Sequence, residues 1–137
     1  MQQMNDSSAV KHYKAYLIFM LAACGGAFIW QFFLPNLSGQ FSIWTTSIGW
    51  QREIALWNVG IIASIVMALA KKNIAFMKIL TFQSTVLCWV LGLNHLVSLL
   101  QNFSLHYVLH VMGVLEVLLL GGIWGVAVLL KYGMKTE

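Results

Sequence analysis

Hydrophobic residues along the chain occur in four long runs, and short polar or turn-forming segments separate them. The runs cover residues 15–34, 51–70, 79–100 and 107–130. A helix needs about 20 apolar residues to cross the hydrocarbon core of a bilayer, so each run is long enough for one span. The pattern predicts an all-α integral membrane four-helix bundle that forms a single domain over residues 1–137.

The segments between the runs carry signals that end helices. Pro35-Asn36 follows the first run, and proline cannot continue a helix. Lys71-Lys72-Asn73 follows the second run, and Gln101-Asn102 follows the third. The longest connection, residues 35–50, is rich in Ser, Thr and Trp, which favours a segment lying along the membrane interface.

Composition supports a lipid environment for the chain. Hydrophobic residues make up 60% of it and charged residues 9%, whereas soluble domains carry about 25% charged residues. The mean hydropathy is +0.79. These values exclude a disordered chain and an ordinary water-soluble enzyme.

The lysines predict the orientation of the spans. All seven occur before the first run, between the second and third, or after the fourth: Lys11, Lys14, Lys71, Lys72, Lys78, Lys131 and Lys135. Because short basic loops remain cytoplasmic, we expect a multi-pass membrane protein with both termini in the cytoplasm. This placement explains the net charge of +4, which therefore indicates no nucleic-acid partner.

The sequence around Cys24 offers an alternative for the first run. Leu21-Ala22-Ala23-Cys24 resembles the lipobox of bacterial lipoproteins, and processing there would leave a lipidated cysteine and three spans. The apolar run continues beyond Cys24 to Leu34, which favours a retained first helix.

Small residues recur at helical spacing within three of the runs. They are Ala22 and Gly26 in the first, Gly60, Ser64 and Ala68 in the second, and Gly121 and Gly125 in the fourth. In lipid, such residues let helix backbones approach closely. They predict packing within the bundle, or a surface for a homodimer or a membrane-complex subunit, in addition to contact with membrane lipids.

Polar side chains within the runs concentrate in the half away from the lysines. The candidate ligand-binding residues are Arg52, Asn58, Asn94, His95, His110 and Glu116. A carboxylate such as Glu116 is costly in hydrocarbon unless it is paired, protonated or facing a wet cavity. The set predicts a periplasm-facing polar pocket that binds a small molecule, a lipid head group or a partner subunit.

Two other functions fit the same residues. One is a purely structural subunit, in which a protonated Glu116 forms hydrogen bonds with Asn58 or Asn94. The other is a haem- or metal-binding redox protein. His106-x3-His110 is a spacing that suits a metal, with His95 as third ligand, or His95 and His110 would be axial ligands of a haem.

Signals for catalysis are sparse. Cys24 and Cys88 form no C-x-x-C pair, and no serine occupies a nucleophile elbow. The catalytic residues, if the protein has any, are therefore unknown. On these grounds we favour a protein that is not an enzyme, and we expect no cofactor.

The start of the second span, Gly49-Trp50-Gln51-Arg52-Glu53-Ile54-Ala55-Leu56-Trp57-Asn58-Val59-Gly60, has a Q-R-E-x4-N-x-G pattern. With Gly92-Leu93-Asn94-His95 on the third span, it resembles small uncharacterised four-helix bacterial inner-membrane proteins of the DoxX-like group. The resemblance implies a four-helix bundle located in the bacterial inner membrane and an association with a redox complex. The characteristic positions that the resemblance implies are Gln51, Arg52, Glu53, Asn58, Asn94 and His95.

Overall fold

The computed structural model describes residues 2–133, with side chains from Ser7 onwards. Its helices are α1 (Gln2–Phe33), α2 (Leu37–Phe41), α3 (Ile48–Lys71), α4 (Ile74–Gln101), α5 (Val108–Met112), a π-helix (Gly113–Ile123) and α6 (Trp124–Tyr132). Four stretches are long and apolar enough to cross a membrane: α1, α3, α4 and the continuous helix from α5 to α6. The predicted all-α four-helix architecture is confirmed, and the chain is a small multi-pass membrane protein. Lys135 and Glu137 lie outside the described residues.

The helices extend beyond the apolar runs. The third begins at Ile74 instead of residue 79, because the Asn73 side chain accepts a hydrogen bond from the Phe76 N–H at 3.1 Å and caps the first turn. Lys72 adopts a left-handed conformation, with φ of 51°. Together these two residues reverse the chain between α3 and α4 within a very short turn.

The helices pack as two closely associated pairs. α1 packs mainly against α3, and α4 packs mainly against the helix from α5 to α6. Near the turn between α3 and α4, fully buried side chains from three helices join the pairs: Tyr13, Tyr16, Leu17, Ile65 and Met77. The bundle is therefore most tightly filled at the end that carries the lysine-rich turn.

Glycines set the close approach of α4 and the fourth span. A Cβ at Gly92 would lie 2.7 Å from the Cα of Leu118, so the two backbones are almost in contact. Gly121 likewise packs on Cys88, and Gly125 packs on Thr85. In contrast, a Cβ at Gly60 would meet nothing within 4 Å. The small residues of the fourth span thus serve packing inside the bundle.

The fourth span winds as a π-helix over 11 of its 25 residues, Gly113–Ile123. Changes between π and α winding disturb the regular main-chain pairing, and such segments are frequent at functional sites. At the return to α winding, the Gly121 carbonyl accepts a hydrogen bond from the buried Tyr16 hydroxyl at 2.8 Å. Tyr16 therefore ties α1 to the main chain of the fourth span.

Residues 35–47 fold over one end of the bundle. Pro35, Ser38 and Ser42 are buried there, while residues 44–47 are exposed. α2 contacts α5. This connection, opposite the turn at Lys72, covers the less filled end of the four helices.

Candidate functional site

A cavity of about 510 Å³ opens between the helices beneath the 35–47 connection. Its size falls in the usual range of small-molecule sites, about 300–1,000 Å³. Aliphatic, aromatic and sulfur-containing side chains form most of its wall: Phe19, Met20, Cys24, Trp30, Trp44, Trp50, Ile54, Leu87, Cys88, Leu91, Leu109, Met112 and Val117. The cavity is thus a mainly apolar space inside the bundle.

A few polar side chains interrupt this apolar wall. They are Gln31, Ser38, Ser42, Thr45, Ser47, Gln51, Asn58, His95 and Glu116. They come from α1, the connection, α3, α4 and the fourth span. An apolar cavity with few polar groups from several elements is the usual arrangement of a ligand site.

Two histidines face each other at one side of the cavity. The Nδ1 atoms of His95 on α4 and His110 on α5 are 3.1 Å apart, a hydrogen-bonding distance. His110 is fully buried, and His95 lines the cavity. Gly113 makes room for the pair, because a Cβ at that position would overlap the His95 ring.

The hydrogen bonds made by the ring nitrogens of this pair show which nitrogen of each histidine carries the proton. The Ile43 backbone N–H donates to Nε2 of His110 at 3.1 Å, so this nitrogen carries no proton. The His110 proton therefore lies on Nδ1 and is donated to Nδ1 of His95. His95 must then hold its own proton on Nε2, and it lines the cavity as a hydrogen-bond donor of fixed tautomer.

The Trp44 side chain packs the connection against the histidine pair. Its ring centroid lies 4.7 Å from that of His95 and 4.6 Å from that of His110. Its Nε1 donates to the Ser98 hydroxyl at 3.0 Å, and its backbone N–H donates to the Ser42 hydroxyl at 2.9 Å. The wall that the connection contributes is therefore held by specific polar contacts.

Gln51 offers the cavity an unpaired hydrogen-bond acceptor. Its Nε2 donates to the Ser38 hydroxyl. The proton of that hydroxyl goes to the Pro35 carbonyl at 3.1 Å, so Ser38 can only accept from Gln51. This fixes which end of the Gln51 amide is oxygen. The Oε1 atom is buried without a partner, as is Oε1 of Gln31, another residue of the cavity wall.

Glu116 contributes the one carboxylate that the described residues place on the cavity wall. Within residues 7–133, the hydrogen bonds around the cavity involve Ser38, Ser42, Trp44, Gln51 and the two histidines, and none involves Glu116. Within these residues, Glu116 therefore lacks the hydrogen bond with Asn58 or Asn94 that the structural alternative invokes. No Lys or Arg of the described chain lines the cavity.

The candidate residues from the sequence divide into two groups. Asn58, His95 and Glu116 line the cavity, and His110 lies directly behind His95. Arg52 and Asn94 have exposed side chains and are not part of the wall. The Arg52 guanidinium lies 5.9 Å from the centre of the Phe32 ring, on the outer surface. Neighbours in sequence therefore separate, because consecutive helical residues point about 100° apart.

The expected histidine face at the start of the fourth span does not form. His106 lies in the turn before α5, and its exposed ring is 5.8 Å from that of Phe41. A helix that begins at Val108 cannot place His106 and His110 one turn apart on one face. Within residues 7–133, no three His, Cys, Asp or Glu side chains are arranged to hold a metal ion.

Several residues of the wall were not among the predicted site residues. Gln31, Ser42 and Trp44 come from the end of α1 and from the connection. Tryptophan and serine near a membrane boundary are typical of an interfacial segment, so their types alone do not distinguish a cavity wall from an interface. The folding of the connection onto His110 is a tertiary contact with no local pattern.

Comparisons with known proteins identify no relative from which a function could be transferred to this chain. No protein-family profile, curated protein or solved structure matches the chain.

Proposed function

We propose that this membrane protein binds a small amphiphilic molecule in the cavity between its spans. The observation that carries the proposal is the cavity's composition, a mainly apolar volume of about 510 Å³ with unpaired buried amide oxygens on its wall. Buried polar atoms without partners are unfavourable by about 1–3 kcal/mol each. A ligand that fills the space and bonds these atoms would remove that penalty.

The polar groups supply both kinds of hydrogen bond. His95 offers an N–H donor, and Gln51 offers a carbonyl acceptor. The hydrocarbon part of the ligand would contact side chains such as Leu91 and Val117. Such a division of the wall suits a molecule with one polar end and one bulky apolar body.

A pair of glycine substitutions tests whether the cavity binds ligand. Gly26 lines the cavity, and a Cβ there would meet nothing within 4 Å, so Gly26→Leu adds volume without a clash at Cβ. Gly60→Leu is the matched control, since Gly60 has equal free space but lies outside the cavity. We expect Gly26→Leu to remove binding of 1-adamantylamine and 1-adamantanol to protein in lipid nanodiscs, measured by equilibrium dialysis against empty nanodiscs.

Gly60→Leu should bind both compounds as the wild type does. Failure of both compounds to bind the wild type would contradict the proposal, as would equal binding by all three proteins.

The lysine distribution supports an orientation with both termini in the cytoplasm. The resemblance to DoxX-like proteins supports the proposal of a bacterial inner-membrane location. Lys71 and Lys72 lie at the exposed turn opposite the 35–47 connection. In this orientation the cavity lies toward the periplasm. The Q-R-E-x4-N-x-G pattern supports the further proposal of a DoxX-like protein associated with a redox complex.

Cysteine labelling in intact cells tests the orientation. The native Cys24 and Cys88 line the cavity, so both are first replaced by alanine, and single cysteines are then introduced at exposed positions. We expect a membrane-impermeant maleimide to label Ser47→Cys from outside, and to label Lys72→Cys only after permeabilisation. The reverse result would contradict the orientation and would place the cavity toward the cytoplasm.

A further inference from the structure

The described residues give the cavity wall several hydrogen-bond acceptors and one acidic group. Glu116 contributes a carboxylate, while Gln51 and Gln31 contribute buried carbonyl oxygens without partners. A carboxylate within a membrane span needs a compensating charge, a proton or water. No Lys or Arg of the described residues reaches the wall, so this part of the protein supplies no cation to pair with the Glu116 carboxylate.

The aromatic groups of the wall favour an occupant of the same charge. Trp30, Trp44 and Trp50 all line the cavity. Indole rings attract cations through their negative faces, more strongly than other aromatic side chains do. Carboxylate, amide oxygens and indole rings thus all favour a positive group that bears N–H donors.

We propose that the ligands of the cavity are amphiphilic primary amines, which bind as ammonium ions. This inference rests on the proposed ligand-binding function. The ammonium group pairs with the Glu116 carboxylate and donates hydrogen bonds to the amide oxygens of Gln51 and Gln31. The apolar body of the amine fills the space between the spans. The surrounding tryptophans stabilise the charge.

Three compounds with one hydrocarbon cage separate charge from hydrogen bonding. 1-Adamantylamine carries a positive charge and N–H donors, 1-adamantyltrimethylammonium carries the charge alone, and 1-adamantanol is neutral. Hydrogen bonds to charged groups contribute about 1.5–3 kcal/mol. We therefore expect wild-type protein in nanodiscs to bind the primary ammonium about 10- to 100-fold more tightly than the alcohol, and the quaternary ammonium with intermediate affinity.

Two substitutions assign this preference to residues. Glu116→Gln should bring the affinity for the primary ammonium to within about threefold of that for the alcohol, with affinity for the alcohol unchanged. Its matched control is Glu53→Gln, which removes an exposed carboxylate outside the cavity. Gln31→Leu should weaken binding of the primary ammonium and leave the quaternary ammonium unaffected, while Gln83→Leu, on an exposed part of α4, should change neither.

The outcomes distinguish this inference from the proposed function. If the alcohol and the ammonium bind equally to the wild type, and Glu116→Gln changes neither, the amine assignment is overturned while binding in the cavity stands. If the quaternary and primary ammonium bind equally and Gln31→Leu weakens neither, the requirement for N–H donors is overturned. If no compound binds the wild type, both proposals fail. Thermal unfolding of each variant identifies any loss of binding that results from misfolding.

Discussion

Replacing Gly92 by valine should force α4 and the fourth span apart and destabilise the bundle. A Cβ at this position would lie 2.7 Å from the Cα and 2.8 Å from the backbone nitrogen of Leu118. Backbone atoms cannot turn aside as a flexible side chain can, so α4 and the fourth span must separate. Overpacking costs about 1–3 kcal/mol in well-packed cores, and we expect a loss at or above the upper end of this range.

The measurement is the free energy of unfolding in mixed micelles, titrated with a denaturing detergent and followed by tryptophan fluorescence. Gly60→Val provides the comparison, because it introduces the same side chain into a helix where nothing lies within 4 Å of the new Cβ. Any direct effect of valine on the helix itself appears equally in both variants. Equal stability of the two variants would show that the close approach of α4 and the fourth span is absent in the protein.

Replacing His110 by alanine should release the connection that covers the cavity. The imidazole accepts from the Ile43 N–H, contacts the Ser42 hydroxyl and pairs with His95, each at 3.1 Å. Its removal leaves the half-buried Ile43 N–H without its partner, which costs up to about 1–3 kcal/mol, and adds a void next to Trp44. Folding of the bundle should persist, because the fully buried side chains that join the helix pairs lie at the other end.

Hydrogen exchange measures this release locally. In His110→Ala the backbone amides of Ile43 and Trp44 should exchange about tenfold faster or more, while amides of the helix around Leu17 keep their protection. His106→Ala is the control, since it removes an exposed imidazole four residues earlier. Unchanged exchange at Ile43 in the His110 variant would contradict the docking of the connection. Uniformly faster exchange along the chain would show that His110 supports the whole bundle instead.

The architecture was largely predictable from the sequence. Four apolar runs of about 20 residues admit few structures other than membrane-spanning helices, because unpaired backbone groups are not tolerated in hydrocarbon. Helix ends were less predictable. The start of α4 at Ile74 depends on a cap at Asn73, and the start of α5 at Val108 leaves His106 in a turn. Both are local main-chain details that hydropathy does not record.

The candidate site was predictable only where polar residues lie within apolar runs. Asn58, His95 and Glu116 stand out in such runs, and all three line the cavity. Arg52 and Asn94 stand out equally, yet they face outwards, because the polarity of a residue does not specify which side of a helix it occupies. Gln31 and Trp44 join the wall through contacts between segments that are distant in sequence. The glycines at positions 92 and 113 likewise gain their importance from what lies opposite them.

The position of a bound amine tests the central claim most directly. Nuclear Overhauser effects between the adamantyl protons of 1-adamantylamine and the aromatic protons of the protein would locate the compound. The account predicts contacts with the rings of Trp30, Trp44 and His95, which line the cavity, and none with Trp57, whose side chain is 77% exposed outside it. Contacts with Trp57 and none with His95 or Trp44 would place the amine on the lipid-facing surface and contradict the claim.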